Sequence, residues 1–180
     1  MRQIEPVRRG LGSAVLLDRD GVLNDKIADG YVLSLSDLVV RDDGLHAAAM
    51  LTKAGLPLII VTNQSCVGRG YLTIVELDRI MDELLARLRR AGAEIAGWYC
   101  CPHDPAAGCA CRKPGTRLLE IAAQEHGIDL ARSFVIGDSV GDIEAAMHVG
   151  ATGLLIDSSA KTGALQAART IIEEMHVGAR

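Results

Sequence analysis

Short apolar runs alternate with longer amphipathic stretches along most of the 180-residue chain. The apolar runs are bounded by Gly, Pro or polar residues, as buried strands are, and lie at residues 13–18, 57–61, 94–100, 133–137 and 152–156. The stretches between them repeat apolar residues at helical spacing, at residues 42–55, 73–92, 114–127, 140–150 and 160–176. Strands that alternate with helices predict an α/β fold, in which helices cover both faces of one parallel sheet.

The length of the chain suits one domain, which we expect to span residues 13–178 after an N-terminal leader of residues 1–12. Hydrophobic residues make up 49% of the chain but aromatic residues only 3%, so aliphatic side chains must form the core. No insertion between the predicted elements is long enough for a separate cap domain. We therefore expect an open site and a monomer.

Composition also argues against several classes of partner. The formal net charge is −4 and basic residues do not cluster with aromatic ones, so the sequence lacks the pattern of a nucleic-acid-binding protein. No apolar run is as long as a membrane span, and the first twelve residues contain no apolar stretch typical of a signal peptide. We expect a cytoplasmic protein without a membrane or nucleic-acid partner, in which five cysteines are thiols or metal ligands.

Polar side chains follow three of the predicted strands at the point where each strand ends. Asp18 and Asp20 follow the first strand, Thr62 ends the second and Asp138 follows the fourth, while Lys113 lies next to a helix start. The carboxyl ends of parallel strands meet at one edge, where ligands bind in such sheets. Each residue alone fits a turn, a helix cap or a solvated charge, but together they favour a site for Mg²⁺ and phosphate.

A cluster of cysteine and histidine lies in the loop before Lys113. Three thiols and one imidazole fall within eleven residues, at Cys101, His103, Cys109 and Cys111. Four such ligands match a closed, structural zinc site. Cys100 is an alternative to Cys101, which we prefer because Pro102 fixes the chain directly after it. Buried or reactive thiols are the plainer interpretation of the cluster, but the histidine and the paired spacing favour zinc.

Four motifs, in this order, resemble those of the haloacid dehalogenase (HAD) superfamily phosphatases. They are Asp-Arg-Asp-Gly-Val-Leu-Asn at residues 18–24, Thr-Asn-Gln-Ser at 62–65, Arg-Lys-Pro at 112–114 and Gly-Asp-Ser-x-x-Asp at 137–142. The resemblance implies a HAD-like Rossmannoid parallel sheet. It also implies that Asp18 is the nucleophile, that Asp20 is the general acid and then base, and that Thr62 and Lys113 hold the phosphoryl oxygens.

The same resemblance implies a catalytic Mg²⁺ ion. Its ligands would be Asp18, the main-chain carbonyl of Asp20 and Asp138, with Asp142 supporting them without direct contact. We expect the cation to keep Asp18 ionised, whereas a poorly solvated Asp20 can keep a proton.

The zinc loop resembles those of two phosphatase families, which act on heptose 1,7-bisphosphate at the 7-phosphate and on histidinol phosphate. Residues 62–71 and 30–32 are more similar to the heptose family, whereas the short gap between His103 and Cys109 is more similar to the histidinol family. Cys66 stands where the family usually has glycine, and two extra residues precede Gly30. The resemblance implies a small phosphorylated sugar as substrate, contacted by Asp29, Gly30, Tyr31, Asn63, Gln64, Ser65 and Arg112.

Two alternatives belong to other classes of protein. A zinc-stapled nucleic-acid-binding module would contain the same cysteines, but the acidic charge opposes it. A redox protein would use the thiols of residues 100–101 or 109–111 instead of a metal. Bound zinc would separate the phosphatase from the redox protein.

Overall fold

The computed structural model describes residues 12–178, so the predicted leader of residues 1–12 lies outside them except for Gly12. Five strands form one parallel sheet in the order β3-β2-β1-β4-β5. They are β1 (Val15–Leu17), β2 (Leu58–Asn63), β3 (Ile95–Cys101), β4 (Phe134–Gly137) and β5 (Thr152–Leu155). The predicted parallel α/β sheet is confirmed, and β1 is its central strand.

Helices cover both faces of the sheet, as predicted. The α-helices are α1 (Asp42–Lys53), α2 (Ser65–Gly68), α3 (Ile74–Arg90), α4 (Arg117–His126), α5 (Val140–His148) and α6 (Gly163–Gly178). Val15 and Leu17 pack with α1, α3 and α6 on one face, while Leu16 packs with α4 and α5 on the other. This alternation follows from the two-residue period of a strand. Within residues 12–178, no helix is both long and apolar enough to cross a membrane.

The structure differs from the predicted elements in three places. Helix α2 occupies part of a segment that we predicted to be a loop, and its four residues carry too weak a pattern for detection. Helix α4 begins at Arg117 rather than residue 114, because Gly115 N–H donates to the Arg112 carbonyl (2.6 Å) in a turn. Strand β5 lies at the sheet edge, and its side chains are more exposed than those of a buried strand.

The connection between β1 and α1 is closed by a main-chain hydrogen bond and a buried ion pair. Arg41 N–H donates to the Leu23 carbonyl (2.9 Å), and the buried guanidinium of Arg41 pairs with Asp43 (3.1 Å). Helix α1 approaches this connection closely at Gly44, where a Cβ atom would overlap the carbonyl oxygen of Val22. The first turn of α1 therefore packs against residues 22–23, within the motif at residues 18–24.

We expect Gly44→Ala to destabilise the protein by about 1–3 kcal/mol, because the added methyl group overlaps main-chain atoms that cannot move independently. Helix propensity alone predicts the opposite sign, a gain of roughly 0.5–1 kcal/mol. Urea denaturation decides between the two, with His46→Ala on the exposed face of α1 as a control that changes stability by less than about 0.5 kcal/mol. A Gly44→Ala variant more stable than the wild type would contradict the close packing.

Candidate active site

The polar strand ends meet in one cavity at the carboxyl edge of the sheet. The cavity has a volume of about 280 Å³. Its lining comprises Asp18, Asp20, Lys26, Ile27, Gly30, Tyr31, Val32, Asn63, Ser65, Arg112, Lys113, Asp138, Ser139 and Asp142. The ends of β1, β2 and β4 therefore meet at this cavity, but β2 contributes Asn63 to the lining, whereas the predicted Thr62 is buried and does not line it.

Lys113 is buried at the bottom of this cavity between two carboxylates. Its Nζ donates to Asp18 Oδ1 (2.9 Å) and to the Val61 carbonyl (2.7 Å), and it forms an ion pair with Asp142. Burial would lower the pKa of Lys113, but these carboxylates raise it, so the ammonium stays charged. Burial, together with the nearby Asp142 and Asp20, raises the pKa of Asp18 to about 6 despite Lys113. The single positive charge of Lys113 therefore does not fully neutralise the carboxylates of Asp18 and Asp142.

Asp138 completes a set of three carboxylates with Asp18 and Asp142, whose nearest oxygens all lie within 4.8 Å of one another. Gly21 makes this approach possible, because it has a left-handed φ of +84° and a Cβ atom there would overlap the Asp138 carboxylate. Lys26 Nζ contacts Asp138 Oδ2 from the cavity mouth (2.8 Å).

These three carboxylates fit a divalent cation. Oxygen ligands at this spacing suit Mg²⁺, which binds through one or two carboxylates and keeps several waters. The residual negative charge around Lys113 is what such an ion would neutralise. Asp142 lies on the first turn of α5, where it pairs with Lys113 beside the other two carboxylates.

The Asp20 carboxylate lies in a cluster of hydrogen-bond donors. Its carboxylate accepts from both Nε and Nη2 of Arg19 (3.2 and 2.7 Å), from Asn24 Nδ2 (2.9 Å) and from Gln64 Nε2 (2.7 Å). Burial would raise the pKa of Asp20, but the Arg19 guanidinium and these hydrogen bonds lower it below its usual value. The expectation that Asp20 keeps a proton therefore differs from this structure, where a fully buried arginine (1% exposed) holds the carboxylate ionised.

Side chains at the end of β2 and directly after it hold Asp20 and Lys113 in position. Gln64 Nε2 also donates to Thr62 Oγ1 (2.9 Å), and Cys66 Sγ donates to Gln64 Oε1 (3.7 Å). Asn63 contacts the main chain of Lys113 in both directions, accepting from its N–H (3.1 Å) and donating to its carbonyl (3.3 Å). These amides thus hold Asp20 and Lys113 in place.

The predicted zinc ligands form a compact group. The Sγ atoms of Cys101, Cys109 and Cys111 lie 3.3–3.5 Å apart, and His103 Nδ1 lies 3.1 Å from Cys111 Sγ and 3.6 Å from Cys101 Sγ. The three cysteines are free thiols. The distances between the sulfur atoms are close to the separation of about 3.8 Å expected between two sulfur ligands of a tetrahedral zinc ion. The residues therefore fit a closed zinc site. Cys100 is not in this group, which agrees with our preference for Cys101.

The thiols titrate very differently from one another. Burial and hydrogen bonds to the other thiols raise the pKa of Cys101 to about 12. Burial acts in the same direction on Cys109, but hydrogen bonds from Cys101 and Cys111 lower its pKa to about 6. One thiolate is thus already favoured in the cluster, as metal binding requires.

The Cys/His loop packs directly against helix α2. Gly68 N–H donates to the Pro102 carbonyl (2.7 Å), and Gln64 N–H donates to the Cys101 carbonyl (2.8 Å). A Cβ atom at Gly68 would overlap the main chain of residues 102–104, so glycine is required for this contact. Arg69 Nε donates to Asp104 Oδ2 (3.0 Å) at the surface of the same junction.

The predicted substrate contacts fall into two groups. Gly30, Tyr31, Asn63, Ser65 and Arg112 line the cavity, whereas Asp29 and Gln64 do not. Gln64 differs from the prediction because its side chain is buried and donates to Asp20 and Thr62, as described above. Asp29 differs because it lies exposed in a left-handed turn (φ +51°).

Three residues close to the reacting groups had no predicted role, namely Arg19, Asn24 and Lys26. Arg19 and Asn24 belong to the motif at residues 18–24, where a charge between two aspartates was a signal for an internal ion pair. Lys26 lies in a polar loop, and its sequence context carries no such signal.

The geometry agrees with comparisons to known proteins. A family model described as HAD-hydrolase-like matches residues 110–177. The D-glycero-beta-D-manno-heptose-1,7-bisphosphate 7-phosphatase of Pseudomonas putida is 39% identical over 149 residues, which cover 83% of this chain and 82% of that relative. The Helicobacter pylori protein of the same name is 39% identical over 137 residues, covering 75% of this chain and 77% of the relative.

A solved structure shows the same fold. It is the D,D-heptose 1,7-bisphosphate phosphatase of Bordetella bronchiseptica, complexed with magnesium and phosphate. It matches with a TM-score of 0.77 and 33% identity, covering 88% of this chain and 87% of that one.

The fold and the motif-bearing strand ends thus define a HAD-type phosphatase, which confirms the predicted class of enzyme. Within that class, the chain belongs to the family of D-glycero-β-D-manno-heptose-1,7-bisphosphate 7-phosphatases, since its match extends over four fifths of such relatives.

We expect Lys113→Met to destabilise the metal-free protein by about 3 kcal/mol, because it leaves two buried carboxylates without their cation. Added Mg²⁺ is expected to recover more stability in the variant than in the wild type. Urea denaturation in EDTA and in Mg²⁺ measures both effects, with Lys53→Met on exposed α1 as the matched control. An unchanged midpoint in EDTA would show that Lys113 does not neutralise the cluster.

Proposed function

We propose that the protein hydrolyses the 7-phosphate of D-glycero-D-manno-heptose 1,7-bisphosphate, in the synthesis of nucleotide-activated heptose. The observation that carries the proposal is the meeting of Asp18, Lys113 and Asp138 in one open cavity of a chain that covers most of its heptose-phosphatase relatives. A cavity of about 280 Å³ with both carboxylates and cations suits a small phosphorylated sugar.

The reaction is proposed to have two steps. An Asp18 carboxylate oxygen attacks phosphorus and forms an aspartyl-phosphate, the bond between phosphorus and the sugar oxygen breaks, and Asp20 gives that oxygen its proton. Water then attacks the phosphorus and transfers a proton to Asp20, and the bond to Asp18 breaks with release of phosphate. Thr62 and Lys113 would hold the phosphoryl oxygens meanwhile.

The donors around Asp20 match the second of these steps. A carboxylate held ionised by Arg19, Asn24 and Gln64 is ready to accept a proton from water. The first step requires the Asp20 carboxyl to carry a proton and to turn from Arg19 towards the leaving oxygen. Because only one residue separates Asp20 from Asp18, both carboxyl groups are able to act at the same phosphorus.

Two metals are part of the proposal. Asp18, Asp138 and the main-chain carbonyl of Asp20 would hold Mg²⁺, with Asp142 beside them. The ion would supply positive charge against the transferring phosphoryl group. Cys101, His103, Cys109 and Cys111 would hold zinc with no open position, so its role would be structural.

A substrate panel tests the assignment. It contains both anomers of the heptose bisphosphate, histidinol phosphate and an aryl phosphate, and phosphate release is measured in Mg²⁺. We expect the highest kcat/KM with a heptose bisphosphate, and a loss of at least about 10³-fold in an Asp18→Asn variant that still folds and unfolds cooperatively. Faster turnover of histidinol phosphate would overturn the substrate, and an active Asp18→Asn variant would overturn the nucleophile.

We expect Cys109→Ser to lose zinc and to lower both stability and kcat/KM, because the Cys/His loop positions Lys113 and α2. Metal analysis should give one zinc per wild-type chain and less in the variant. Cys100→Ser is the matched control, since that thiol lies outside the group and should leave the zinc content unchanged. Equal zinc content and equal melting temperatures in Cys109→Ser and wild type would contradict the site.

A further inference from the structure

Lys26 is a charged residue of the cavity lining that the proposed reaction does not use. Its Nζ is 2.8 Å from Asp138 Oδ2, while its side chain is 51% exposed and that of Asp138 only 3%. The ammonium therefore lies between a buried carboxylate and solvent, in the lining of the cavity.

The main chain before Lys26 is fixed at three points through Asp25. The Asp25 N–H donates to the Val39 carbonyl (2.8 Å), its carbonyl accepts from Asn24 Nδ2 (2.8 Å), and its carboxylate accepts from Arg41 (3.2 Å). The base of the Lys26 side chain is thus held relative to the cavity. Its flexible stem leaves the ammonium able to turn from Asp138 to another anion nearby.

The three cationic side chains that line the cavity differ in how many protein groups they contact. Lys113 is buried against Asp18 and Asp142, beside the atom that would attack the transferred phosphate. Arg112 and Lys26 are the other two cations of the lining. Arg112 Nη1 is buried without a hydrogen-bond partner among residues 12–178, and Lys26 has one partner, Asp138, at the solvent side.

A bisphosphate has a second phosphate group, which lies too far from the transferred one to be bound by Lys113 as well. Once Asp138 has a divalent cation as its counter-ion, Lys26 is no longer needed there, and its ammonium is available to the substrate. Lysine suits this role because it is a mobile point charge that binds phosphate.

We infer that Lys26 binds the phosphate that is not transferred, and that it thereby makes the enzyme favour bisphosphorylated over monophosphorylated sugars. This inference rests on the proposed function, because only a bisphosphate has such a second group. Lys26 is on this account a specificity-determining residue and takes no part in bond breaking.

The test compares Lys26→Gln, Lys26→Arg and, as a matched control, Lys53→Gln on the exposed end of α1. For each protein, kcat/KM is measured with the heptose 1,7-bisphosphate and with the heptose 7-phosphate, which lacks the second phosphate. Calorimetry measures the Kd of the heptose 1-phosphate in Mg²⁺, which reports binding without turnover.

We expect Lys26→Gln to lower kcat/KM for the bisphosphate roughly tenfold, mainly through KM, and to weaken heptose 1-phosphate binding by a similar factor. The change with the 7-phosphate should stay below about twofold, since that substrate offers Lys26 no second phosphate. Lys26→Arg should retain most of the preference, and Lys53→Gln should resemble the wild type.

Other outcomes overturn the inference in distinguishable ways. Equal losses with both substrates would place Lys26 at the transferred phosphate or at the metal. Tighter Mg²⁺ binding in Lys26→Gln with an unchanged preference would show that Lys26 serves only as the counter-ion of Asp138. A wild type inactive on heptose bisphosphate would refute the proposed function, whereas equal heptose 1-phosphate affinities in wild type and Lys26→Gln would refute the role of Lys26 alone.

Discussion

The burial of Lys113 between Asp18 and Asp142 is the interaction on which the rest of the site depends. Parallel strands bring their carboxyl ends to one edge, and three carboxylates there repel one another unless cations lie among them. Lys113 is not supplied by a strand of that edge. It arrives on the segment before α4, so the path of that segment decides whether the acidic edge can form.

That segment has little core of its own, yet it is held from three sides. The Cys/His group precedes it, α4 follows it, and Asn63 makes two hydrogen bonds to the main chain of Lys113. The same Cys/His loop contacts α2 at Gly68 and accepts from Gln64 N–H. The Cys/His group therefore supports both Lys113, which contacts Asp18, and the side-chain amide of Gln64, which contacts Asp20. Through this coupling, the proposed zinc would have a direct effect on catalytic geometry.

The fold was predictable because its signals are local and periodic. The apolar run of β1 and the stripe of α3 show their period in the sequence, and parallel pairing follows from their alternation. The strand order and the short helix α2 were not predictable, since four residues carry no period. In the site, motif spacing identified Asp18 and Lys113 before their 2.9 Å contact was known. The directions in which the side chains point could not be predicted from the sequence motifs.

Arg19 and Gln64 illustrate that limit. Both lie in motifs that the sequence displays, but neither motif shows that the two side chains converge on Asp20. The convergence requires the turn at Gly21 and the packing of α2 against the Cys/His loop, which are tertiary features. Lys26 had no signal at all, because its contact with Asp138 joins residues 112 positions apart.

The cationic side chains of the site thus divide by burial into two kinds. Arg19 and Lys113 are buried beside the carboxylates of Asp20 and Asp18, so their positive charges are in place before the reaction begins. Lys26 lies nearer the solvent, with a side chain that is 51% exposed, and its ammonium is able to adapt to what lies beyond the transferred phosphate. Changes in the loop around Lys26 can therefore alter which sugar phosphate is preferred while leaving the buried charges at Asp18 and Asp20 intact. The residues that would carry out the reaction and the residue that would select the substrate therefore lie in different parts of the same cavity.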